Sequence, residues 1–268
     1  MSGEHAAVTR HEAGPLSRFD YRSAALRAAS FGIVLAAWEY AGRVPVSIAF
    51  PPLSETLRAA VQMVSDGSLL RALGITLVPL VIGVTLSAAI GVLLGLATGL
   101  SRRAEWLGIP LFLVLQVAPL AALIPILILA YGVGLATKVL VVCIMAVPAI
   151  VLNSYKAVRH TPVSLLEMGR SFLGSRTQVI FKIILPAASP VIFAGLRLGT
   201  AAGFVGAILA ELLISPTGIG DLITYHQSIA EYPQMYAAIA AVIVLAALFL
   251  EILDWLEVTL FRPERRAR

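Results

Sequence analysis

Few residues in this chain could do chemistry, and their arrangement narrows what that chemistry could be. No glycine-rich loop ends in Gly-Lys-Ser or Gly-Lys-Thr, so the chain has nothing to cradle the phosphates of a nucleotide. No His-Glu-x-x-His occurs, and the four histidines are scattered. Gly218-Ile219-Gly220-Asp221 fits the Gly-x-Gly-Asp pattern of a protease acting inside a membrane. That chemistry needs a second Asp across the site to share the acid–base work. The candidate within an apolar run is Asp254, placed near the opposite membrane face. Cys143 stands alone in an apolar run, cannot form an intrachain disulfide, and reads as a small buried hydrophobe. What remains is a set of residues set into greasy sequence: Gln116, Pro119, Asn153, Arg197 and Glu211. Arg197, nine residues into its run, either snorkels to an interface or faces water or a carboxylate, because a lone cation in hydrocarbon is costly. Glu211, at the far end of that run, reads as an interfacial acid. Asn153 reads as an interhelical hydrogen bonder or a ligand.

A second concentration of chemistry lies in 166-LEMGRSFLGSRTQVIFKIILPAASP-190, a polar stretch between two long apolar runs. Thr161-Pro162 can start a helix, with Leu165, Leu166, Met168, Phe172 and Leu173 as its apolar stripe and Glu167, Arg170 and Ser171 between them. Gly174-Ser175 breaks it, and a second helix follows, with Val179, Ile180, Ile183 and Ile184 apolar, ended by Pro186. A free loop has no need of that apolar face. The two helices either lie on a membrane or dock into the groove of a partner.

The elements that position these residues belong to a membrane. Hydrophobic residues make up 59% of the chain and charged residues 13%, far from the balance of a soluble domain. Six runs are long enough to be spans: Ala24–Ala41, Ala72–Leu100, Leu107–Tyr131, Val139–Ser154, Ser189–Leu213 and Tyr236–Leu256. The second is too long for a straight crossing, and the fourth is short and holds Pro148. With the N-terminus in the cytoplasm, inside segments hold fourteen Lys and Arg and outside segments four, so both termini are expected inside. The net charge of +5 follows that pattern, and no nucleic-acid partner is expected. Residues 1–23 read as a cytoplasmic arm, 24–256 as the membrane domain and 257–268 as a basic cytoplasmic tail. Gly91, Gly95 and Gly99, and again Gly195, Gly199 and Gly203, recur every fourth residue, which puts each set on one helix face for close packing within the subunit or along a pathway or dimer surface. Outside, Phe50 to Glu55 leads into a short helix whose apolar face is Leu57, Ala60, Val61 and Val64, expected along the outer membrane surface. Ser215 to Asp221 is expected to form a re-entrant or mouth-lining turn.

The polar stretch resembles the cytoplasmic signature of ATP-binding-cassette importer permeases: Glu-Ala-Ala, three residues, Gly, nine residues, Ile, one residue, Leu-Pro. Glu167 matches the acid, and Ile183 to Pro186 match the end at the right distance. Met168 and Gly169 replace the two alanines, and Leu173 stands at the glycine position, so the turn is expected to pass to Gly174. Thr98 to Arg103, Pro119 through Pro125, Tyr131 to Gly134, Val191 to Arg197, Ala210-Glu211-Leu212 and Gly218-Ile219-Gly220 are similar to the nitrate, sulfonate and taurine branch of these permeases. That branch has Arg-Pro where Gln116-Val117 stands and a second proline where Leu120 stands. The resemblance implies an all-α membrane protein of the type I importer permease fold, with six spans, in a bacterial inner membrane. It implies a permease, itself no enzyme and without a cofactor or metal of its own. Its partners would be a second copy of itself, two ATPase subunits that bind ATP and Mg, and an extracytoplasmic solute-binding protein. The helices at 161–186 would then couple to the ATPase through Leu166, Glu167, Gly169, Arg170, Ser171, Leu173, Gly174 and Ser175. Gln116, Pro119, Asn153, Arg197 and Glu211 would belong to the translocation pathway or its gate, Glu211 as a gate or a contact with the binding protein. The solute would be small, an anion such as nitrate, sulfonate, taurine or a related carboxylate. A secondary transporter or channel is the alternative. It predicts ionisable residues deep in several spans and leaves the two-helix stretch without a role.

Overall fold

The computed structural model describes residues 21–44, 47–214 and 217–261. Most of the expected N-terminal arm, most of the basic tail, and Ser215 and Pro216 of the expected turn lie outside the described residues. The described residues are helical throughout, without strands, and fall into two compact units divided between Ser54 and Glu55. In the first, helix α1 (Tyr21–Arg43) ends where Gly42 lets the returning chain approach, since a Cβ there would lie 2.5 Å from Pro52. The Glu39 carboxylate accepts from the backbone N–H and the hydroxyl of Ser54, both at 2.9 Å, and fixes that return.

The second unit is a helical bundle. Its elements are α2 (Leu53–Ser65) from Glu55 onward, α3 (Ser68–Leu100), α4 (Arg102–Val117), α5 (Leu120–Tyr131), α6 (Leu135–Arg159), α7 (Val163–Ser171), α8 (Arg176–Val179), a π turn (Ile180–Ile184), α9 (Leu185–Ile214), α10 (Ile219–Ser228) and α11 (Tyr232–Phe261). Helix α6 lies at the centre with α3 and α9 against it. The four-residue glycine spacing explains why. A Cβ on Gly83, Gly91, Gly95 or Gly99 would strike Val142, Ile150, Ser154 or Val158 of α6. A Cβ on Gly195, Gly199 or Gly206 would strike Asn153, Ile150 or Met145 of the same helix. In lipid the hydrophobic effect does not drive helices together, so close backbone approach must supply the association.

Helices α3, α6 and α11 and the continuous run Arg176–Ile214 are long and apolar enough to cross a membrane, and the α4–α5 pair makes a fifth if its two parts are one span. Helix α1 has the length, at 23 residues, but is diluted by Arg22, Arg27, Glu39 and Arg43.

Three sequence expectations change here. The run at 107–131 is not one helix: α4 and α5 meet at a bend of 101°. Pro119 lacks an N–H and pushes Ala118 to an extended conformation, φ −62 and ψ 133, which ends α4. The run at 139–154 is not short, because α6 has 25 residues and extends to Leu135 at one end and Arg159 at the other. Pro186 does not end the helix before α9 either. The backbone widens into the π turn, Leu185 donates to the Ile180 carbonyl, and the missing proline N–H is absorbed in the middle of one 39-residue run. On α2 the buried face is Thr56, Ala59 and Met63, while Leu57, Val61 and Val64 point outward.

Candidate functional site

Two places on this scaffold hold the residues of interest, one at each end of the helix run 176–214. The first is the tip formed by α7, α8 and the turn between them. Leu165 and Leu166 are half-buried, and Gly169 is buried because a Cβ there would lie 2.5 Å from the Ile183 side chain. This glycine lets α7 lie against the π turn. Glu167, Arg170, Ser171 and Ser175 are exposed, and neither Glu167 nor Arg170 forms an ion pair among the described residues. Phe172 is 82% exposed and Leu173 92%.

The turn is closed by the Leu173 N–H on the Arg170 carbonyl at 2.9 Å and the Gly174 N–H on the Gly169 carbonyl at 3.0 Å. This is a Schellman ending, whose hallmark is one residue in the left-handed region. That residue is Leu173, at φ 54, and not Gly174. The expectation that Gly174 takes over the turn is therefore corrected. The position stays where the family signature has its glycine, and a leucine occupies it at a cost of about 1 kcal/mol. Gly174 is needed for proximity instead, since a Cβ there would lie 2.9 Å from the Gly169 oxygen. Ser175 then caps α8 in a capping box with Gln178.

The second place is a buried polar network at the far end of α9. The side chains of Glu211 and Lys138 are 1% and 6% exposed, and Lys138 Nζ lies 3.4 Å from Glu211 Oε1. The other Glu211 oxygen accepts from Thr76 Oγ1 at 2.8 Å and from the Gly220 N–H at 3.1 Å. Thr76 Oγ1 in turn accepts from the Ile219 N–H at 3.0 Å. Lys138 Nζ also donates to the carbonyl and hydroxyl oxygens of Thr217, at 3.3 and 3.0 Å. Both glycines of Gly218-Ile219-Gly220 are explained by this carboxylate. Gly218 sits at φ 89, and a Cβ there would lie 2.2 Å from Glu211 Oε1. A Cβ on Gly220 would lie 2.6 Å from the Glu211 Cβ. A buried anion thus meets the N-terminal amides of α10, where the helix dipole favours it. Neither Lys138 nor Thr76 was singled out from the sequence. A lone Lys at the start of an apolar run was the available signal, but its partner is 73 residues away.

The other pathway candidates do not join this network. Arg197 lies fourteen residues before Glu211 on α9, about 21 Å away along the axis. It pairs with Asp254 and, at 3.2 Å, with Glu257 of α11. Asn153 is half-buried, and its amide donates to the Ala149 carbonyl of its own helix at 2.8 Å where Gly195 crosses. Gln116 and Pro119 are exposed at the α4–α5 bend. Near the tip end of the bundle, the Glu105 carboxylate accepts from the Tyr155 hydroxyl at 2.5 Å and from the Arg159 guanidinium, tying α4 to α6. The Tyr155 hydrogen bond, then that of Arg159, holds the Glu105 carboxyl below its usual range.

Comparison with known proteins decides what kind of scaffold this is. Residues 87–263 match the family described as binding-protein-dependent transport system inner membrane component. The chain belongs to that family. Among its relatives, the taurine transport system permease TauC of Escherichia coli is 25% identical over 73% of this chain and 72% of its own length. The riboflavin transport system permease RibX of Chloroflexus aurantiacus is 31% identical over 58% of each. In fold, the chain resembles a chain of the MetNI methionine transporter solved in inward-facing conformations, with a TM-score of 0.51 and 18% identity over 71% of this chain and 91% of that one. The protein is an inner-membrane permease component of an importer of the ATP-binding-cassette type, which works with ATPase subunits and a solute-binding protein.

Proposed function

We propose that two copies of this chain form the pathway of an ATP-driven importer, with hydrolysis in two partner ATPase subunits and the tip at α7–α8 as the docking element. The observation that carries this is the tip itself: an apolar pair, Phe172 and Leu173, held out of the fold beside Glu167 and Arg170, which form no ion pair among the described residues. An apolar pair held beside charged groups suits a docking surface. Leu166, Gly169 and Gly174 hold its shape, while Glu167, Arg170, Ser171, Leu173 and Ser175 meet the ATPase. ATP and Mg belong to that partner. Six spans with both ends in the cytoplasm, set by the Lys and Arg asymmetry, put the tip inside and the Glu211 network outside. Gln116, Pro119, Asn153, Arg197 and Glu211 then lie at successive levels of the pathway or on the elements that gate it.

The solute is a small molecule handed over by the binding protein, and an anion of the nitrate, sulfonate or taurine kind suits the branch that the spans resemble. Vesicles reconstituted with permease, ATPase and binding protein test the reading. Uptake of labelled taurine, nitrate or another small anion that requires ATP and binding protein together supports it. Uptake driven by an ion gradient without ATP contradicts it and favours a secondary transporter.

A further inference from the structure

The network around Glu211 has a cation that the pathway reading does not use. Lys138 Nζ has three N–H bonds to give, and three acceptors surround it: Glu211 Oε1, the Thr217 carbonyl and the Thr217 hydroxyl. Its donors are fully engaged, so it has none left for a passing solute. Every one of those bonds reaches the segment that carries α10 or the carboxylate that caps it. Thr217 immediately precedes Gly218, and Glu211 accepts from the Gly220 N–H. Thr76 of α3 closes the circle by donating to Glu211 and accepting from Ile219. Helix α10 is thus fastened at its N-terminus to three long helices at once: α3 through Thr76, α6 through Lys138 and α9 through Glu211. Beside the fastening lies a groove of about 460 Å³ lined by Lys138 and Thr217 among apolar side chains. Helix α9 is continuous with the exposed tip through the π turn.

We infer that Lys138 is a positioning residue of the outer gate: it clamps α10 across the end of α9, so that α10 moves only when α9, α6 and α3 move together. The inference rests on the importer reading above and adds a part to it. A clamp of this kind makes gate movement conditional on the coupling tip. Without it, α10 shifts independently of the ATPase, and hydrolysis no longer waits for the loaded binding protein. Charge balance is central to the clamp. Removing Lys138 alone leaves Glu211 buried and unpaired, which is far worse than removing both charges.

The test uses the whole reconstituted complex in three forms besides wild type: Lys138→Met, Lys138→Arg, and the double variant Lys138→Met with Glu211→Gln. The readouts are ATP hydrolysis with and without loaded binding protein, and hydrogen exchange of the amides of residues 219–228. In wild type, stimulation by binding protein tests the importer reading independently. Its absence would sink that reading, and α10 exchange alone would then test the clamp. Lys138→Met is expected to raise unstimulated hydrolysis several-fold, abolish most of the stimulation and speed exchange in α10 at least tenfold. Lys138→Arg keeps the charge and restores stimulation to within about twofold of wild type. The double variant keeps α10 more protected than the single variant does, because no bare charge is left behind. Stimulation and α10 exchange unchanged in Lys138→Met would overturn the inference. If Lys138→Met does not assemble, the other two variants decide: an assembled Lys138→Arg without stimulation, or a double variant whose α10 exchanges freely while stimulation stays normal, also overturns it.

Discussion

At the scale of single residues, Leu173 shows how shape and chemistry compete. The turn after α7 needs a left-handed residue, and glycine would adopt it without strain. Leucine stands there instead, with its side chain 92% exposed. Leu173→Gly is therefore expected to raise the stability of the permease alone by up to about 1 kcal/mol, visible as a small rise in melting temperature. The same variant is expected to weaken ATPase association, because the apolar contact is gone. Loss of stability together with normal association would contradict both halves of that reading.

Glu105 gives a pH-dependent counterpart. Its carboxyl is held below the ordinary value of 4.5, first by the Tyr155 hydroxyl and then by Arg159. A depressed carboxyl contributes stability that is fully present above the ordinary value and is lost as pH falls through the folded one. Melting of wild type and Glu105→Gln is expected to differ at neutral pH, with the gap closing in acid as the carboxyl takes up its proton below its ordinary value. A gap that widens in acid would show that the tie between α4 and α6 is not this carboxylate.

At the scale of elements, the glycine seams make the sharpest prediction. A Cβ on Gly95 would lie 2.4 Å from the Ser154 Cβ and 2.8 Å from the Val151 carbonyl, so backbone has to move. Gly95→Ala is expected to cost about 1–3 kcal/mol by overpacking. Gly74, on the same helix, has open space around it, and Gly74→Ala is expected to be neutral or slightly stabilising. Melting curves of the two variants in detergent compare them directly. The seams were legible in the sequence because four-residue spacing on a helix has one geometric meaning. The polar tip was legible for a similar reason, as a charged interruption between apolar runs. The break at Pro119 was not read, since apolar sequence on both sides suits one long span as well as two half-helices. The π turn at Ile180–Ile184 was not legible either, because proline usually ends a helix and nothing local says that the backbone will widen to keep it. Partners were harder still. Lys138 and Glu211 meet only because α6 and α9 pack along their whole lengths, and Arg197 finds its carboxylates on α11 for the same reason.

At the scale of the whole molecule, the 39-residue run 176–214 links the two places that matter. It is about 58 Å long, enough to reach from an aqueous tip through the hydrocarbon core. One end carries the exposed pair Phe172 and Leu173 through the turn before α8, and the other carries Glu211. A displacement applied at the tip is therefore applied to the element that caps α10, with α6 and α3 packed alongside. The account stands or falls on whether an ATPase binds that tip. The most direct measurement is the native mass of the detergent complex after co-expression with a candidate ATPase subunit from the same locus. Wild type is compared with a double variant, Glu167→Lys with Leu173→Asp, in which both positions are exposed and Asp tolerates the left-handed turn. Two permeases with two ATPases in wild type, and permease alone in the variant, is the predicted result. An ATPase that binds the variant as firmly as wild type, or a wild type that never binds it, would contradict the account.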